Sequence, residues 1–123
     1  LKTRTKSFAL RIIKMVGSLP KSMPADVMAK QLVRASTAVA ANYRAACRGR
    51  SKAEFIAKLG IVEEESDECV FWLEMIIDAG LLPESQLSAL RQEADELTAI
   101  FVTSIKTARD RRNPNSAIPA PKS

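Results

Sequence analysis

Apolar residues recur along this chain at alternating steps of three and four, which is the spacing of one face of an α-helix. Nothing reads convincingly as a strand. The pattern predicts four helices with short connections, and therefore an all-α, antiparallel up-down-up-down four-helix bundle. The predicted helices run from about Thr5 to Gly17, from Ser22 or Pro24 to Cys47, from Ser51 to Gly80, and from Pro83 to about Arg109.

Residues typical of helix ends support these bounds. Ser51 and Glu54 have the spacing of a capping box, in which the hydroxyl accepts a backbone N–H and the carboxylate reaches back to the cap. Gly80 suits the position just after a helix. Pro83 suits the first turn of the next helix, where its missing N–H does no harm.

One stripe of residues on each helix is predicted to form the core. Asn42 falls on the second stripe, where it either finds buried partners and specifies register or assembly, or bonds nearby backbone. Tyr43, beside it, is expected to cap the edge of the core. The stripes are Phe8, Ile12, Met15 and Leu19, flanked by Ala9, Ile13 and Val16; Met28, Leu32, Ala35, Val39, Asn42 and Ala46; Phe55, Leu59, Val62, Ser66, Cys69, Leu73 and Ile76; and Leu87, Leu90, Ala94, Leu97, Phe101, Ile105 and Ala108.

The length of 123 residues fits one domain. We expect the bundle to occupy residues 1–112. Residues 113–123 hold three Pro and show no periodicity, so we expect a disordered tail there. No apolar run approaches the roughly 18 residues that span a bilayer. We therefore expect a cytoplasmic protein with no membrane partner.

Composition argues against most catalytic chemistry. The chain has no His, which removes Ser-His-Asp and Cys-His nucleophiles and imidazole ligands. Its two Cys are not spaced as a zinc-binding pair, and its four Gly form no phosphate-binding motif. The acidic run 63–68 suggests carboxylate chemistry, but a di-iron bundle site requires Glu-x-x-His pairs. We expect no enzyme, no cofactor and no metal site.

The net charge of +5 conceals three blocks of alternating sign. Residues 1–52 hold 12 Lys and Arg against one acid, residues 53–105 hold two against 12, and residues 106–123 hold five against one. The basic first half suggests attraction to phosphate polymers or to an anionic surface. Alternatively, the basic and acidic blocks neutralise each other inside a compact fold.

If the chain turns near residue 50, the second and third helices form a hairpin. A residue of one helix then lies level with a residue of the other when their two residue numbers add up to about 99. Arg34 is then level with Glu65, and Gln31 is level with Glu68. We expect a partly buried ion pair that fixes register; the alternative is an exposed pair worth roughly 0–1 kcal/mol.

The same geometry separates Cys47 from Cys69 by roughly 25 Å, so we expect free thiols.

Two features of the central helices suggest a second subunit. Residues 35–41 are all small or β-branched, so other helices can approach closely on more than one side. Their purpose is either packing within the monomer or contact with another copy. A second stripe on the third helix contains a large aromatic, which marks either an interface or packing against the first or fourth helix. This stripe is Ile61, Glu65, Glu68, Trp72 and Met75.

The chain resembles a known four-helix-bundle family. The residues that carry the resemblance are 31–44 (QLVRASTAVAANYR), 50–56 (RSKAEFI), 59–65 (LGIVEEE), Glu68 and 71–73 (FWL). They are similar to the 23S rRNA intervening-sequence proteins, some of which are encoded within insertions in bacterial 23S rRNA genes. The resemblance covers roughly residues 5–110. Ala45 and Ala38 stand where the family often has Glu and Ser, so a role that rests on that Glu does not transfer.

The resemblance implies an antiparallel four-helix bundle that assembles into a homopentamer with a central opening. The chain is similar also to the accessory proteins of diversity-generating retroelements. Those proteins share the architecture, carry a basic surface, and bind nucleic acid and a reverse transcriptase. The family has no established enzymatic activity, and its molecular function is mostly unassigned.

Two functional hypotheses are weighed, with an enzyme a distant third. The first is a homopentamer that binds RNA or DNA through clustered cations and counterion release. Because aromatics make up 5% of the chain and no base-recognition motif is present, binding would be weakly sequence-specific. The second is a protein-interaction scaffold whose charge segregation serves only subunit assembly.

Each hypothesis has its own candidate residues. The candidate nucleic-acid contacts are Lys2, Arg4, Lys6, Arg11, Lys14, Arg44, Arg48, Arg50, Lys52, Arg109, Arg111 and Arg112. The candidate structural or assembly residues are Arg34, Asn42, Tyr43, Glu65, Glu68 and Trp72.

Overall fold

Four α-helices make up residues 1–110, the part of the chain that the computed structural model describes. They are α1 (Lys2–Val16), α2 (Met23–Cys47), α3 (Lys52–Asp78) and α4 (Glu84–Asp110). No strand occurs in residues 1–110, and the all-α prediction is confirmed. No helix in this range combines the length and apolar character needed to cross a membrane. The predicted bundle end at residue 112 and the predicted disordered tail at 113–123 lie outside the described residues.

The helices surround the core in chain order. Each packs against its neighbours in sequence, and α4 packs against α1. Ser66 Oγ lies 2.8 Å from Thr98 Oγ1. Further along α3, Glu74 lies 3.6 Å from Arg91, which comes earlier in α4. Along these contacts the residue numbers of α4 fall as the residue numbers of α3 rise, so the two helices are antiparallel.

Side-chain and backbone caps fix the ends of α3. Ser51 Oγ accepts the Glu54 N–H at 3.1 Å, as the capping box predicts. Glu54 Oε2 accepts the N–H of Arg50, at 3.0 Å, and not that of Ser51. At the other end, Gly80 has φ 70°, a left-handed conformation that costs glycine little. The following Leu81 N–H then returns to a carbonyl of the last turn.

The core of α2 departs from the prediction at Met28, which is half-buried, and at the neighbours Asn42 and Tyr43. Tyr43 is buried, and its ring centroid lies 5.8 Å from that of Phe101 on α4. Asn42 is half-buried, and its Nδ2 donates to the Ala38 carbonyl at 2.9 Å within the same helix. The large ring gains more from burial than an amide that would need buried partners. The prediction that Asn42 lies buried in the core is therefore wrong, and the alternative, a bond to nearby backbone, is confirmed.

The other stripes are close to prediction. The predicted α4 stripe, from Leu87 to Ala108, is buried throughout. On α3, Ile56 is buried where Phe55 was expected, and Phe55 packs at the margin of the core. On α1, Ile13 was expected beside the core but is 45% exposed.

Candidate nucleic-acid interface

One end of the bundle collects positive charge from three helices. α2 ends and α3 begins there, and α4 also ends there because it runs antiparallel to α3. All of these cations are exposed except Lys58, which is half-buried. The acids at this end among residues 1–110 are Glu54 and Asp110. The cations, called the basic end, are Arg44, Arg48, Arg50, Lys52, Lys58, Lys106 and Arg109.

A shallow depression of about 600 Å³ lies within the basic end. Its lining includes Arg44, Arg48, Lys58 and Glu54. The Glu54 carboxylate is already engaged, since it accepts the Arg50 N–H. Within residues 1–110, none of the basic-end cations forms an ion pair. An anionic polymer at this end therefore meets cations whose charge the described protein does not neutralise.

The basic end includes two cations beyond those that the sequence predicts as contacts. The structure brings together the predicted Arg44, Arg48, Arg50, Lys52 and Arg109. Lys58 and Lys106 lie with them, although neither was predicted as a contact. The signal that would have found them is the antiparallel register of α3 and α4, which places residue 58 level with residue 106. The predicted Arg111 and Arg112 lie outside the described residues.

The candidates on α1 do not form a single surface. Lys6 lies on the side of α1 that meets α2. Arg11 and Lys14 border a separate depression of about 260 Å³ against α4, which Gln86 and Leu90 complete. The sequence grouped these three cations on one helix, but they face different neighbours.

Arg4 serves to attach α1 to α4. Its Nε lies 2.8 Å from Glu93 Oε2, its Nη2 lies 2.7 Å from Glu93 Oε1, and its Nη2 also lies 2.9 Å from Glu96 Oε1. The hydrogen bonds from Arg4 hold the pKa of Glu93 below its usual range. The same bonds raise the pKa of Arg4. Its charge is matched, so Arg4 is a poor phosphate contact.

A groove runs between α1 and α2 on the outside of the bundle. It has a volume of about 480 Å³ and is called the α1–α2 groove. The cations among its lining residues are called the rim, and the apolar and short side chains are called the floor. The rim is Lys2, Lys6 and Arg44, and the floor is Ala9, Leu10, Ile13, Thr37, Ala40 and Ala41.

Arg34 joins α2 to α3 at the predicted height. Its Nη1 lies 3.0 Å from Glu65 Oε2, and its Nη2 donates to Glu68. Trp72 Nε1 also donates to Glu68, at 3.1 Å. The hydrogen bond to Glu68 raises the pKa of Arg34. The register prediction is confirmed. The Glu65 side chain is 21% exposed and that of Arg34 is 47% exposed, so burial is confined to the carboxylate side of the pair.

Both thiols are free, as predicted. Cys47 is half-buried near the basic end, and Cys69 lies in the core. Burial, with the nearby charge of Glu65, raises the pKa of Cys69 to about 12. Residues 1–110 contain no group of three or more Cys, Asp or Glu side chains able to hold a metal ion.

Comparison with known proteins identifies the family. The family model described as 23S rRNA-intervening sequence protein matches residues 2–103. A solved structure of a protein of unknown function from the S23 ribosomal protein family of Bacteroides thetaiotaomicron is 31% identical, with a TM-score of 0.79. That match covers 85% of this chain and 97% of the other. No curated protein matches. Since the family match spans most of the four helices, the chain belongs to the 23S rRNA-intervening sequence protein family.

Proposed function

We propose that this protein is a non-enzymatic RNA-binding protein that assembles from identical subunits and holds the phosphate backbone of RNA at its basic end. The observation that supports this proposal is the convergence of seven Lys and Arg, from three helices and the α2–α3 turn, against two acids at one end of the bundle. Cations held on phosphates release condensed counterions, which drives binding without a base-recognition motif.

The surroundings of these cations favour backbone binding over base recognition. The only Tyr, Tyr43, is buried against Phe101 and does not offer its ring to a base. The described residues of the basic end include no exposed aromatic side chain. Base stacking supplies much of the affinity in single-strand binders that use aromatics. Here affinity depends on charge, so we expect weak sequence preference and a steep dependence on salt.

The assembly is a homopentamer in this proposal, as the resemblance to the family implies. RNA is the polymer to test first because the matching family is named for 23S rRNA, although that name describes intervening sequences and not a bound ligand. We also propose a cytoplasmic location, which the two free thiols support.

Fluorescence anisotropy with a labelled single-stranded RNA of mixed sequence tests the RNA part of the proposal. The test variant combines Arg48→Glu with Lys52→Glu. The matched control combines Lys21→Glu with Lys30→Glu, two exposed cations away from the basic end that change the net charge equally. We expect the test variant to lose at least about tenfold in affinity and the salt slope to fall by about 1.4, or 0.7 for each phosphate contact.

Two results contradict this part of the proposal. If the wild-type protein does not bind RNA even at low salt, the basic end is not an RNA site. If the test and control variants lose affinity equally, the net charge of the protein is responsible and the basic end has no special role.

A protein-interaction scaffold is the second candidate function, and the α1–α2 groove favours it. Leu10 and Ile13 are 56% and 45% exposed there, which is unusual placement for large apolar side chains on a basic surface. Static light scattering separates the two candidates when combined with the RNA titration. Assembly without RNA binding supports the scaffold.

A further inference from the structure

We propose that the α1–α2 groove receives the outer face of α3 from a second copy of this chain, so that copies join head to tail. This inference rests on the assembly part of the proposed function and identifies the two surfaces responsible. It does not depend on whether RNA binds.

The groove offers an apolar site that is open to another helix. Leu10 and Ile13 project from α1 with 56% and 45% of their surface exposed. The α2 side of the groove is built from Ala40, Ala41 and Thr37. These short side chains leave room for the backbone of a helix to approach closely. The floor therefore buries apolar surface on both partners when a helix occupies it.

The outer face of α3 is uncovered in its own bundle except at Glu68, which accepts a hydrogen bond from Arg34 of α2. α3 contacts α2 and α4 and does not contact α1 within residues 1–110. Steps of three and four residues place one stripe on the side of α3 away from the core. Ile61 is 40% exposed and Phe71 is 51% exposed on this stripe. The outer α3 face is defined as Ile61, Glu64, Glu68, Phe71 and Met75.

The two surfaces are opposite in charge and similar in length. Lys2, Lys6 and Arg44 on the rim of the groove form no ion pair within residues 1–110. Glu64, at the centre of the outer α3 face, is exposed and is likewise unpaired within that range. At 1.5 Å per residue, the α1 side of the groove extends about 17 Å and the outer α3 face about 21 Å. Apolar contact and charge complementarity therefore coincide along one helix length.

The position of the surfaces dictates the type of assembly. α1 and α3 are diagonal in the bundle, so the groove and the outer α3 face point away from each other. A surface that binds a different surface on the next copy makes a heterologous contact. Such contacts build closed rings when the rotation between copies closes, and filaments when it does not.

Two charge-introducing variants test the contact by complementation. Leu10→Glu blocks the groove, and Phe71→Glu blocks the outer α3 face. Both side chains are about half exposed, so we expect the fold to survive, which circular dichroism checks. By light scattering, we expect an oligomeric wild type and two monomeric variants. Mixed together, the variants should form a dimer of one chain each, because each retains one intact surface.

Val102→Glu provides the matched control. Val102 is 47% exposed on α4 and belongs to neither surface, so this variant should keep the wild-type mass. A second test exchanges charges: Lys6→Glu should reduce assembly, and adding Glu64→Lys should restore it. This pair keeps the test decisive if either apolar variant fails to fold.

Each alternative result has a distinct meaning. If the wild type is oligomeric and both apolar variants keep its mass, the proposed surfaces are wrong while assembly stands. If Leu10→Glu alone is monomeric and the mixture does not pair, the groove binds a second groove and the head-to-tail contact is overturned. If the wild type is itself monomeric, the assembly part of the proposed function fails, and this inference fails with it.

Discussion

Neighbouring residues on α2 show how burial decides between side chains that periodicity treats alike. From Val39, a step of three leads to Asn42 and a step of four leads to Tyr43, and it is Tyr43 that is buried. The amide of Asn42 is satisfied by its own helix, through the Ala38 carbonyl. It therefore makes no cross-helix bond that would specify register. That role belongs to Arg34, which connects two helices.

Alanine substitutions at these two neighbours should have very different effects on stability. Tyr43→Ala removes a ring that packs on Phe101 in the core, and we expect a cost of about 3–5 kcal/mol in the free energy of unfolding. Asn42→Ala removes only a bond within the helix and adds a residue of higher helix propensity, so we expect a change within about 0.5 kcal/mol. Urea denaturation at fixed protein concentration measures both. Equal losses would mean that Asn42 contributes to the core after all.

Among the elements, α1 is the shortest helix, and it is attached to the bundle both by buried apolar side chains and by an ion pair. Its 15 residues compare with 25 in α2 and 27 in each of α3 and α4. Phe8, Ile12 and Met15 hold it on the core by burial. Arg4 adds a two-bonded contact to Glu93 on α4. Because Leu10 and Ile13 remain outside, α1 supplies both part of the core and one wall of the groove.

The attachment of α1 should weaken in acid. The pKa of Glu93 is lowered in the folded protein, so at acidic pH the unfolded chain binds a proton that the folded chain does not. The stabilisation is therefore complete above the ordinary Glu pKa of about 4.3 and is lost as the pH falls through the lower folded value. Near pH 7, Glu93→Gln should cost about 1 kcal/mol, allowing for solvent screening at Arg4. As the pH falls below the ordinary Glu pKa, the difference between wild type and variant should shrink.

Glu96→Gln is the matched control for this pH dependence. Glu96 also bonds Arg4, but its side chain is 50% exposed against 16% for Glu93. We expect a smaller loss at pH 7. Urea denaturation of each variant across the acidic range checks both expectations. A difference between wild type and Glu93→Gln that persists undiminished at pH 3 would show that the ion pair is not its source.

For the molecule as a whole, the spacing of residues along the chain was sufficient to predict the helices. It was insufficient to predict the surfaces that form where helices meet. The buried residues of α4 could be predicted from spacing because they recur every three or four residues along one helix. The Arg34–Glu65 register could be predicted because one short turn connects the two helices. The full set of cations at the basic end could not be predicted from local spacing. It depends on the end of α4 lying beside the α2–α3 turn, which adds Lys58 and Lys106 to the set. The groove forms only when α1 lies against α2, and periodicity does not say which of two apolar stripes on α1 faces inwards.

The two proposals together predict that assembly strengthens RNA binding. In a closed ring of identical contacts, symmetry places every basic end equivalently about the axis, so one long RNA can contact several. Linked sites bind with a high effective concentration, which raises affinity well beyond that of one site. Phe71→Glu leaves the basic end intact while separating the subunits. We therefore expect this variant to bind a long single-stranded RNA at least about tenfold more weakly than wild type.

A short RNA that covers one basic end is the control for this prediction. Wild type and Phe71→Glu should bind it with equal affinity per subunit, because neither protein can use a second site on it. Anisotropy titrations with both RNAs, at one salt concentration, measure the four affinities. Equal affinity of the two proteins for the long RNA would show that the basic ends of one assembly are too far apart, or wrongly oriented, for a single strand to join. A loss on the short RNA would instead show that the RNA site extends into the subunit contact, either through Arg44, which belongs to both the basic end and the groove, or through Phe71 itself.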